Sequence, residues 1–500
     1  MSSLREIPGN LGVFGTIQCL NLQSTGVLSS TTMECTNLVS GDVTTNTIEC
    51  STLVSSGDVS GATLTGNAVV CSGNVSGDNL TVETKLTTSQ FQLIPPVPSL
   101  GYTLTSDIAG NATWTAPLAD YPSYKQKTPK IILNSPANSI APFVVVSSDG
   151  SMIVVVYRLN ATLQTQFQTF LYESDTWFLD STITTPLTNN ANYYLCLADG
   201  NDLLAISNLT ANQVVVYRRT AGAWVQVGAM LDLNGTYTLF GRNLVINSGK
   251  QMLAVQTQTD IVFYLISVST LTLAGVIIIP LVGAGQTGLD ISLDFRILVT
   301  GNYLANNNVG RVTVFVRAAL DPLTAWSLLQ TINPYSISAS NVYAGASVSL
   351  SRDGSTLAVG ASEDAINSPA SVGPTGAVLM FNYVTGVGFV QGQKIVPVDY
   401  SYQSTQTVAF GGFVQLNFAG DTLVIGGWYD QQATGSIWVY VRDKRGLWIQ
   451  NGNKYRGNDL NPANANQGYT VAIARGNASV VVASVGRDDP SNKNAMVIYQ

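Results

Sequence analysis

Two pairs of adjacent acids, Glu363-Asp364 and Asp488-Asp489, are the residues of this sequence whose type and spacing are suited to catalysis. Glycoside hydrolysis uses such a pair of carboxyl groups, one as the acid and one as the nucleophile or base. Both pairs stand in polar stretches, where adjacent acids are far more often solvated charges. We therefore predict that the protein is not an enzyme, and glycan degradation by these loops is the alternative.

The absence of histidine narrows the possible chemistry further. With no histidine in 500 residues, histidine acid–base catalysis, Ser-His-Asp triads and most zinc sites are excluded. The five cysteines show no CxxC spacing, which argues against a zinc or redox site. They are Cys19, Cys35, Cys50, Cys71 and Cys196. We expect no cofactor and no metal.

The composition excludes two classes of partner. Only 11% of the residues are charged and the net charge is −7, so nothing indicates binding to nucleic acid. No apolar run is long enough to span a membrane, so membrane insertion is not expected. The start, MSSLREIPGN, lacks the basic and apolar regions of a signal peptide, which predicts synthesis in a cytosol-like compartment.

The elements that must position any functional loop are repeated strands. From Phe143 onward, seven copies of one unit can be aligned by a tight turn between two apolar strands. These turns are Asp149-Gly150, Asp199-Gly200, Ser248-Gly249, Asp294-Phe295, Asp353-Gly354, Gly420-Asp421 and Gly476-Asn477. Their intervals are typical of propeller blades with loops of variable length.

Each copy contains four predicted strands. The strand after the turn is almost continuously apolar, as expected for a strand buried on both faces. A third strand follows, and an outer strand opens with an aromatic residue in five copies. These aromatics are Trp177, Trp224, Trp326, Phe389 and Trp448. The third copy has no such aromatic, and residues 271–279 take its place.

The two ends of the repeat region complement each other. The last copy stops at Gln500 after its third strand, whereas residues 124–133 look like an outer strand without a blade. Pairing them would close a ring and remove its open edges. We therefore predict an all-β fold in which residues 123–500 form a seven-bladed β-propeller.

The unit resembles the FG-GAP repeat of the integrin α-chain head. The resemblance covers residues 124–500 and is strongest in GASVSLSRDGSTLAVGAS and GGFVQLNFAGDTLVIGG. Members of that family often carry a calcium loop between the first two strands. Here the corresponding turns, such as Arg352-Asp353-Gly354-Ser355, hold too few oxygen atoms for a calcium cage, so we do not expect calcium.

A different, shorter repeat occupies residues 16–94. Its copies are TIQCLNL, TMECTNL and TIECSTL, with a looser one around Cys71 and Gly-Asp or Gly-Asn turns between them. Such short strands cannot bury their apolar side chains alone, so they need neighbours along the chain and from other chains. The periodic cysteines would be small buried hydrophobes, with interchain disulfides as the alternative. A disordered tail would explain the polarity but not the spacing.

The N-terminal region resembles the shaft of a viral or phage fibre, in which three chains wrap into a β-structured rod. In residues 95–122, a proline-containing connector precedes the stretch GYTLTSDIAGNATW, which reads as a hairpin and is similar to a junction segment of phage and giant-virus fibres. The resemblance implies a homotrimer through residues 16–94 and a location on the virion surface after synthesis in the host cytoplasm. Residues 1–15 are either a frayed terminus or a peptide that anchors to a capsid or vertex protein.

The loops between the second and third strands are the candidate binding surface. They lie on one face of a propeller and are the most variable segments here, and such loops on a rigid ring are where binding surfaces are usually built. Three aromatics, Tyr303, Trp428 and Tyr429, are predicted to stack on a ligand. Hydrogen bonds are predicted from Asn306, Asp364, Asp430, Arg487 and Asp488.

The predicted function is therefore a structural fibre or spike protein whose head binds a host cell-surface glycan or protein receptor without catalysis. Three heads on one stalk would strengthen weak contacts by avidity. Two alternatives remain open, namely a tailspike-like enzyme that degrades glycans and a purely structural capsid decoration.

Overall fold

The computed structural model divides into two compact units, Met1–Leu118 and Ala119–Gln500. Side chains are described in residues 124–135, 141–159, 164–188, 193–232, 236–247, 249–275, 287–317, 325–334, 341–365, 374–401, 407–460, 465–486 and 493–500. In the remaining residues only the backbone of the strands is described. The prolines of the predicted connector, Pro95, Pro96 and Pro98, lie outside the described residues.

The first unit consists of repeated strands that pair mainly in parallel. They are Arg5–Ile7, Leu11–Gly12, Thr16–Ser24, Leu28–Ser40, Val43–Ser55, Val59–Ser60, Thr63–Cys71, Val75–Ser76 and Asn79–Thr88. The register places Cys19 opposite Cys35 and Cys35 opposite Cys50, so these repeats align residue for residue. Cys71 lies opposite Ser55, so the looser copy does not continue the cysteine column. The side chains that would form a trimer core are outside the described residues.

A short antiparallel pair follows in the same unit. Strand Thr103–Ser106 pairs with Ala112–Thr115, and Leu104 lies opposite Trp114. The predicted hairpin strands are therefore confirmed, while the connecting residues 107–111 are outside the described part.

The second unit contains seven antiparallel sheets that follow one another along the chain. The inner strands are Phe143–Val146, Leu195–Leu197, Leu244–Asn247, Gln286–Ile291, Ala344–Leu350, Phe413–Leu416 and Val471–Ile473. The second strands are Met152–Arg158, Leu203–Asn208, Met252–Gln256, Ile297–Asn302, Thr356–Ala361, Thr422–Gly427 and Val481–Val485. Each sheet is one blade of a seven-bladed β-propeller, as predicted.

The third and outer strands complete each blade. The third strands are Gln164–Glu173, Gln213–Thr220, Asp260–Ile266, Arg311–Val316, Ala377–Val384, Ser436–Arg442 and Ala495–Tyr499. The outer strands of blades 1 to 6 are Thr176–Thr188, Ala223–Gln226, Leu271–Ile278, Ser327–Ile332, Gly388–Ile395 and Trp448–Gln450. Leu231–Asp232 also pairs with the third strand of blade 2.

The ring closes between the two ends of the unit, as predicted. The outer strand of blade 7 is Ile131–Ile132, which pairs antiparallel with Ala495–Tyr499. Upstream of it, the Lys125 and Gln500 backbones exchange hydrogen bonds of 3.0 and 2.9 Å. The seventh blade thus combines strands from both ends of the unit, which removes an unpaired edge.

The hydrophobic core lies between the faces of adjacent blades. One cluster joins Val299 and Val312 of blade 4 to Leu357 and Phe381 of blade 5. The second strands are buried on both faces, because each is covered by the blade before and the blade after. This burial explains their continuous apolar sequence. Trp177, Trp224, Phe389 and Trp448 are buried at the outer strands.

Glycines bring neighbouring blades into backbone contact near the loop face. A Cβ atom on Gly360 would lie 1.9 Å from the Gly411 carbonyl oxygen, and one on Gly426 would lie 2.1 Å from that of Gly468. Only glycine permits this approach.

The tight turns hold their own acidic residues. In blade 5, the Asp353 carboxylate accepts hydrogen bonds from Ser351 Oγ (2.6 Å), Ser355 N (2.9 Å) and Ser355 Oγ (2.8 Å). Burial favours the neutral form, but these bonds outweigh it and lower the pKa of Asp353. In the tight turn of blade 2 the residue with left-handed backbone is Asn201, directly after the predicted Asp199-Gly200 pair.

Among the described residues, no helix is long and apolar enough to cross a membrane.

Candidate functional site

The seven inner strands surround a central channel with a cavity of about 300 Å³. Each inner strand runs from the loop face toward the tight turn that follows it. Phe143 and Tyr194 therefore mark the loop end of the channel, and Arg352 and Arg475 mark the turn end.

An arginine lies across the turn end. Arg475 of blade 7 places its Nη2 atom 3.4 Å from Asp290 Oδ2 of blade 4. It also donates to the carbonyl oxygens of Leu350 (2.6 Å) and Leu416 (3.1 Å), in blades 5 and 6. One side chain thus contacts three other blades.

The turn end is held further by stacking and by backbone hydrogen bonds. The guanidinium groups of Arg352 and Arg475 lie 4.9 and 5.0 Å from the centre of the Phe418 ring. Backbone bonds join successive turns, from Leu293 N to Arg352 O (2.9 Å), Arg352 N to Phe418 O (3.0 Å), Phe418 N to Arg475 O (2.6 Å) and Gly476 N to Ser148 O (2.7 Å). This end is a structural closure.

The loop end is rimmed by aromatic side chains. The Phe143 ring lies 5.1 Å from that of Tyr194 and 5.6 Å from that of Phe413. The Trp428 ring lies 5.3 Å from Tyr469 and 5.9 Å from Tyr429. Tyr429 and Tyr469 each expose 40% of their surface. Tyr429 belongs to this group through its contact with Trp428 and does not itself line the channel. We call Phe143, Tyr194, Phe413, Trp428, Tyr429 and Tyr469 the aromatic rim.

The Trp428 ring is fixed against the backbone of Gly412. A Cβ atom on Gly412 would come within 1.9 Å of the indole. With Gly412 on one side and the two tyrosines nearby, Trp428 is already held in place without a ligand. A preformed aromatic platform loses little conformational entropy when a ligand stacks on it.

The loop that carries Trp428 and Tyr429 contains a left-handed turn. Gln431, Gln432 and Ala433 have φ values of 48°, 58° and 61° within the short helical element Asp430–Ala433. Left-handed non-glycine residues cost roughly 1–2 kcal/mol each, so strong contacts must hold this loop.

Asp430 supplies those contacts from the interior. Its side chain is fully buried, with Oδ2 2.6 Å from Lys454 Nζ, 3.3 Å from Arg456 Nη2 and 2.6 Å from Ser436 Oγ. Oδ1 accepts a 2.6 Å bond from Ser401 N. The carboxylate that was predicted to contact a ligand thus lies in the interior, where it holds the loop.

Asp364 has the same role in blade 5. It is 2% exposed, and its Oδ2 lies 2.6 Å from Lys394 Nζ. Asp364 and Asp430 stand at equivalent loop positions, because Gly376 N bonds to Asp364 O (3.1 Å) as Gly435 N bonds to Asp430 O (2.9 Å). Asp364 is therefore buried and held by contacts within its own chain.

Glu363, the acid beside Asp364, has a raised pKa. Burial raises the pKa of Glu363 to about 7, although a hydrogen bond from Thr407 acts in the opposite direction. The carboxyl group is therefore largely protonated below neutral pH.

The other predicted residues divide into two groups. Tyr303 and Asn306 lie on blade 4, where the Tyr303 ring contacts that of Tyr343 at 5.5 Å, and they do not line the channel. Arg487 and Asp488 lie outside the described residues, as does Asp489. Of the described members of the predicted set, Trp428 is the one that lines the channel.

Four rim residues were missed from the sequence: Phe143, Tyr194, Phe413 and Tyr469. Three of them stand at or just before the first residue of an inner strand. A comparison of that position across the repeats would have found Phe143, Tyr194 and Phe413. Among the described residues, no group of three acidic, cysteine or histidine side chains could hold a metal ion.

No protein-family model and no curated protein sequence matches this chain, so the likeness to FG-GAP repeats stays a prediction. Solved structures are similar in fold. The β-propeller domain of Cps50 (Swd1) from Myceliophteria thermophila is 10% identical with a TM-score of 0.48, covering 74% of this chain and 99% of that one. Hydrazine synthase from Kuenenia stuttgartiensis is 12% identical with a TM-score of 0.47, covering 74% and 98%.

A putative 6-phosphogluconolactonase from Bacteroides fragilis is also similar, at 16% identity and a TM-score of 0.45, covering 63% of this chain and 83% of that one. The seven-bladed architecture follows from the seven sheets themselves.

Proposed function

We propose that the protein is a virion surface fibre whose propeller head binds a glycan or receptor on the host cell without chemically changing it. The observation that carries this proposal is the aromatic rim. Tyr429 and Tyr469 are each 40% exposed and both contact Trp428 at the mouth of the channel. Aromatic faces of this kind stack on the apolar faces of sugar rings, while tyrosine hydroxyls offer hydrogen bonds.

The first unit supports the fibre part of the proposal. Its repeats pair in parallel and in register over Thr16–Ser24, Leu28–Ser40 and Val43–Ser55. A parallel sheet has two faces to cover. In the proposed trimer, neighbouring chains cover them, and residues 1–15 attach the shaft to a capsid or vertex protein. The likeness of the second unit to the integrin-type FG-GAP head belongs to the same proposal.

Two measurements on the full chain test the proposal. Mass photometry, together with low-resolution imaging, should show a trimer with three rings on one rod, and a monomer would refute the shaft. A glycan array should then retain the labelled protein on a limited set of glycans. Retention should be lost in the Tyr429→Ala/Tyr469→Ala variant, because it removes two of the proposed stacking surfaces. Both side chains are exposed, so the substitutions should leave the fold unchanged.

Glu363 favours a second candidate function, a glycan-degrading enzyme. A carboxyl group with a pKa of about 7 is suited to act as a general acid at neutral pH. Release of reducing sugar from host glycans, lost in Glu363→Gln or Asp488→Asn, would support this function. Absence of release across a broad glycan panel would count against it.

A further inference from the structure

A second concave surface lies on blade 4, apart from the channel. It is an open groove of about 680 Å³ between the loop after Ile297–Asn302 and the segment before Ala344–Leu350. Its described lining residues are Leu304, Ala305, Asn306, Asn307, Asn308, Arg311 and Asn341. Four side-chain amides and one guanidinium thus share the groove.

Three of the four lining amides are held by hydrogen bonds. Asn306 Nδ2 donates to Asn333 Oδ1, and Asn308 Nδ2 donates to Asn341 Oδ1, both at 3.0 Å. Each bond uses one polar atom of each amide, so the second polar atom is not engaged by that bond. Asn306 and Asn307 are exposed. Fixed amides offer both donors and acceptors, which suits the neighbouring hydroxyl groups of a sugar.

Arg311 gives the groove its charge preference. Its Nε atom is buried and has no hydrogen-bond partner among the described residues. Of the described residues that line the groove, none is acidic. The buried Nε is closed to a ligand, so recognition would use the rest of the planar guanidinium, for which a carboxylate is the preferred partner.

We infer that this groove binds a carboxylate-bearing sugar, with Arg311 on the carboxylate and the asparagine amides on the hydroxyl groups. The inference rests on the proposed glycan-binding function of the loop face, but it assigns a different blade and different residues. Tyr303 directly precedes the lining residue Leu304, and Tyr343 lies two residues after Asn341. Their rings are 5.5 Å apart.

The test uses the full chain with free glucuronate and N-acetylneuraminate as probes, and glucose and inorganic sulfate as controls. Isothermal titration calorimetry should detect at least one acidic sugar, and about 0.5 M NaCl should weaken its binding by screening. Arg311→Gln should lower its affinity about tenfold or more. Asn307→Asp should do the same by repulsion, because aspartate tolerates the left-handed backbone at this position.

Three outcomes would overturn the inference: no binding of either acidic sugar, equal binding of glucose, or sulfate binding as tight as that of the sugars. Equal affinity in Arg311→Gln would also refute it, provided that circular dichroism shows an unchanged fold. Failure here is distinguishable from failure of the proposed function, because Tyr429→Ala/Tyr469→Ala should leave acidic-sugar binding unchanged while it abolishes array retention. Conversely, Asn307→Asp should spare the glycans bound at the aromatic rim.

Discussion

Arg475 of blade 7 reaches Asp290 of blade 4, with Nη2 and Oδ2 3.4 Å apart at the turn end of the channel. Asp290 Oδ2 also accepts a 2.8 Å bond from Leu350 N. This contact ties together two blades that are far apart around the ring. The channel is therefore closed structurally at one end, and the aromatic rim lies at the other.

Removing Arg475 should weaken the whole ring. Arg475→Ala leaves Asp290 mostly buried without its cation, so we expect a loss of about 2–3 kcal/mol in the free energy of unfolding. Urea denaturation measures it. Asp290→Asn and the double variant complete a double-mutant cycle. The double variant should lose clearly less than the sum of the single losses, and strict additivity would refute the coupling.

The glycine contacts between blades predict a sharp difference between two alanine variants. Gly360→Ala places a Cβ atom 1.9 Å from the Gly411 carbonyl oxygen and should cost more than about 3 kcal/mol or prevent folding. Gly275→Ala, also in a strand, meets nothing within 4 Å and should change stability by at most about 0.5 kcal/mol. Thermal denaturation of both decides the point. Similar melting temperatures would contradict the close approach.

Stability should fall as the pH rises from about 4.5 toward neutrality because of Glu363. Its pKa in the folded state, about 7, exceeds its ordinary value of 4.5. The stabilising contribution is therefore complete below about pH 4.5 and is lost by the time the pH passes 7. Glu363→Gln should flatten the pH dependence of the melting temperature in this window. Glu173→Gln, at an exposed site, is the control and should leave the profile as in the wild type.

Asp430 should control the order of the loop that presents Trp428 and Tyr429. In Asp430→Asn, Lys454 and Arg456 lose their buried anion, so the left-handed turn loses its main support. Hydrogen exchange at the Gly435 amide, which bonds to Asp430 O, should accelerate.

Asp364→Asn is the matched control for that variant, because Asp364 forms the equivalent ion pair with Lys394 in blade 5. It should accelerate exchange at Gly376 and leave Gly435 protected. If each variant accelerated exchange equally at Gly376 and Gly435, the result would contradict the claim that each aspartate holds its own loop.

The fold could be predicted from the sequence because a propeller repeats one simple pattern. Every blade has an apolar second strand such as Thr356–Ala361, buried on both faces, and a tight turn before it. The ring closure followed from one missing outer strand at the C-terminal end and one unpaired strand at residues 124–133.

The site could be predicted only in part, because burial of a loop acid depends on distant residues. Asp430 and Asp364 look like surface acids until Lys454 and Lys394 are seen beside them. Nothing in the local sequence signals those pairings. Trp428 and Tyr429 were found because they follow a recognised strand, whereas Tyr469 lies in a connection between blades that carried no pattern.

The central claim, that the aromatic rim binds a host-surface glycan, is tested most directly by one affinity comparison. The glycan retained best on an array is titrated into the full chain and into Tyr429→Ala/Tyr469→Ala, with Leu328→Ala, exposed on an outer strand, as the control. We predict about tenfold or greater weakening in the tyrosine variant, equivalent to about 1.4 kcal/mol or more, and no change in the control. Equal affinity for all three proteins would contradict the account.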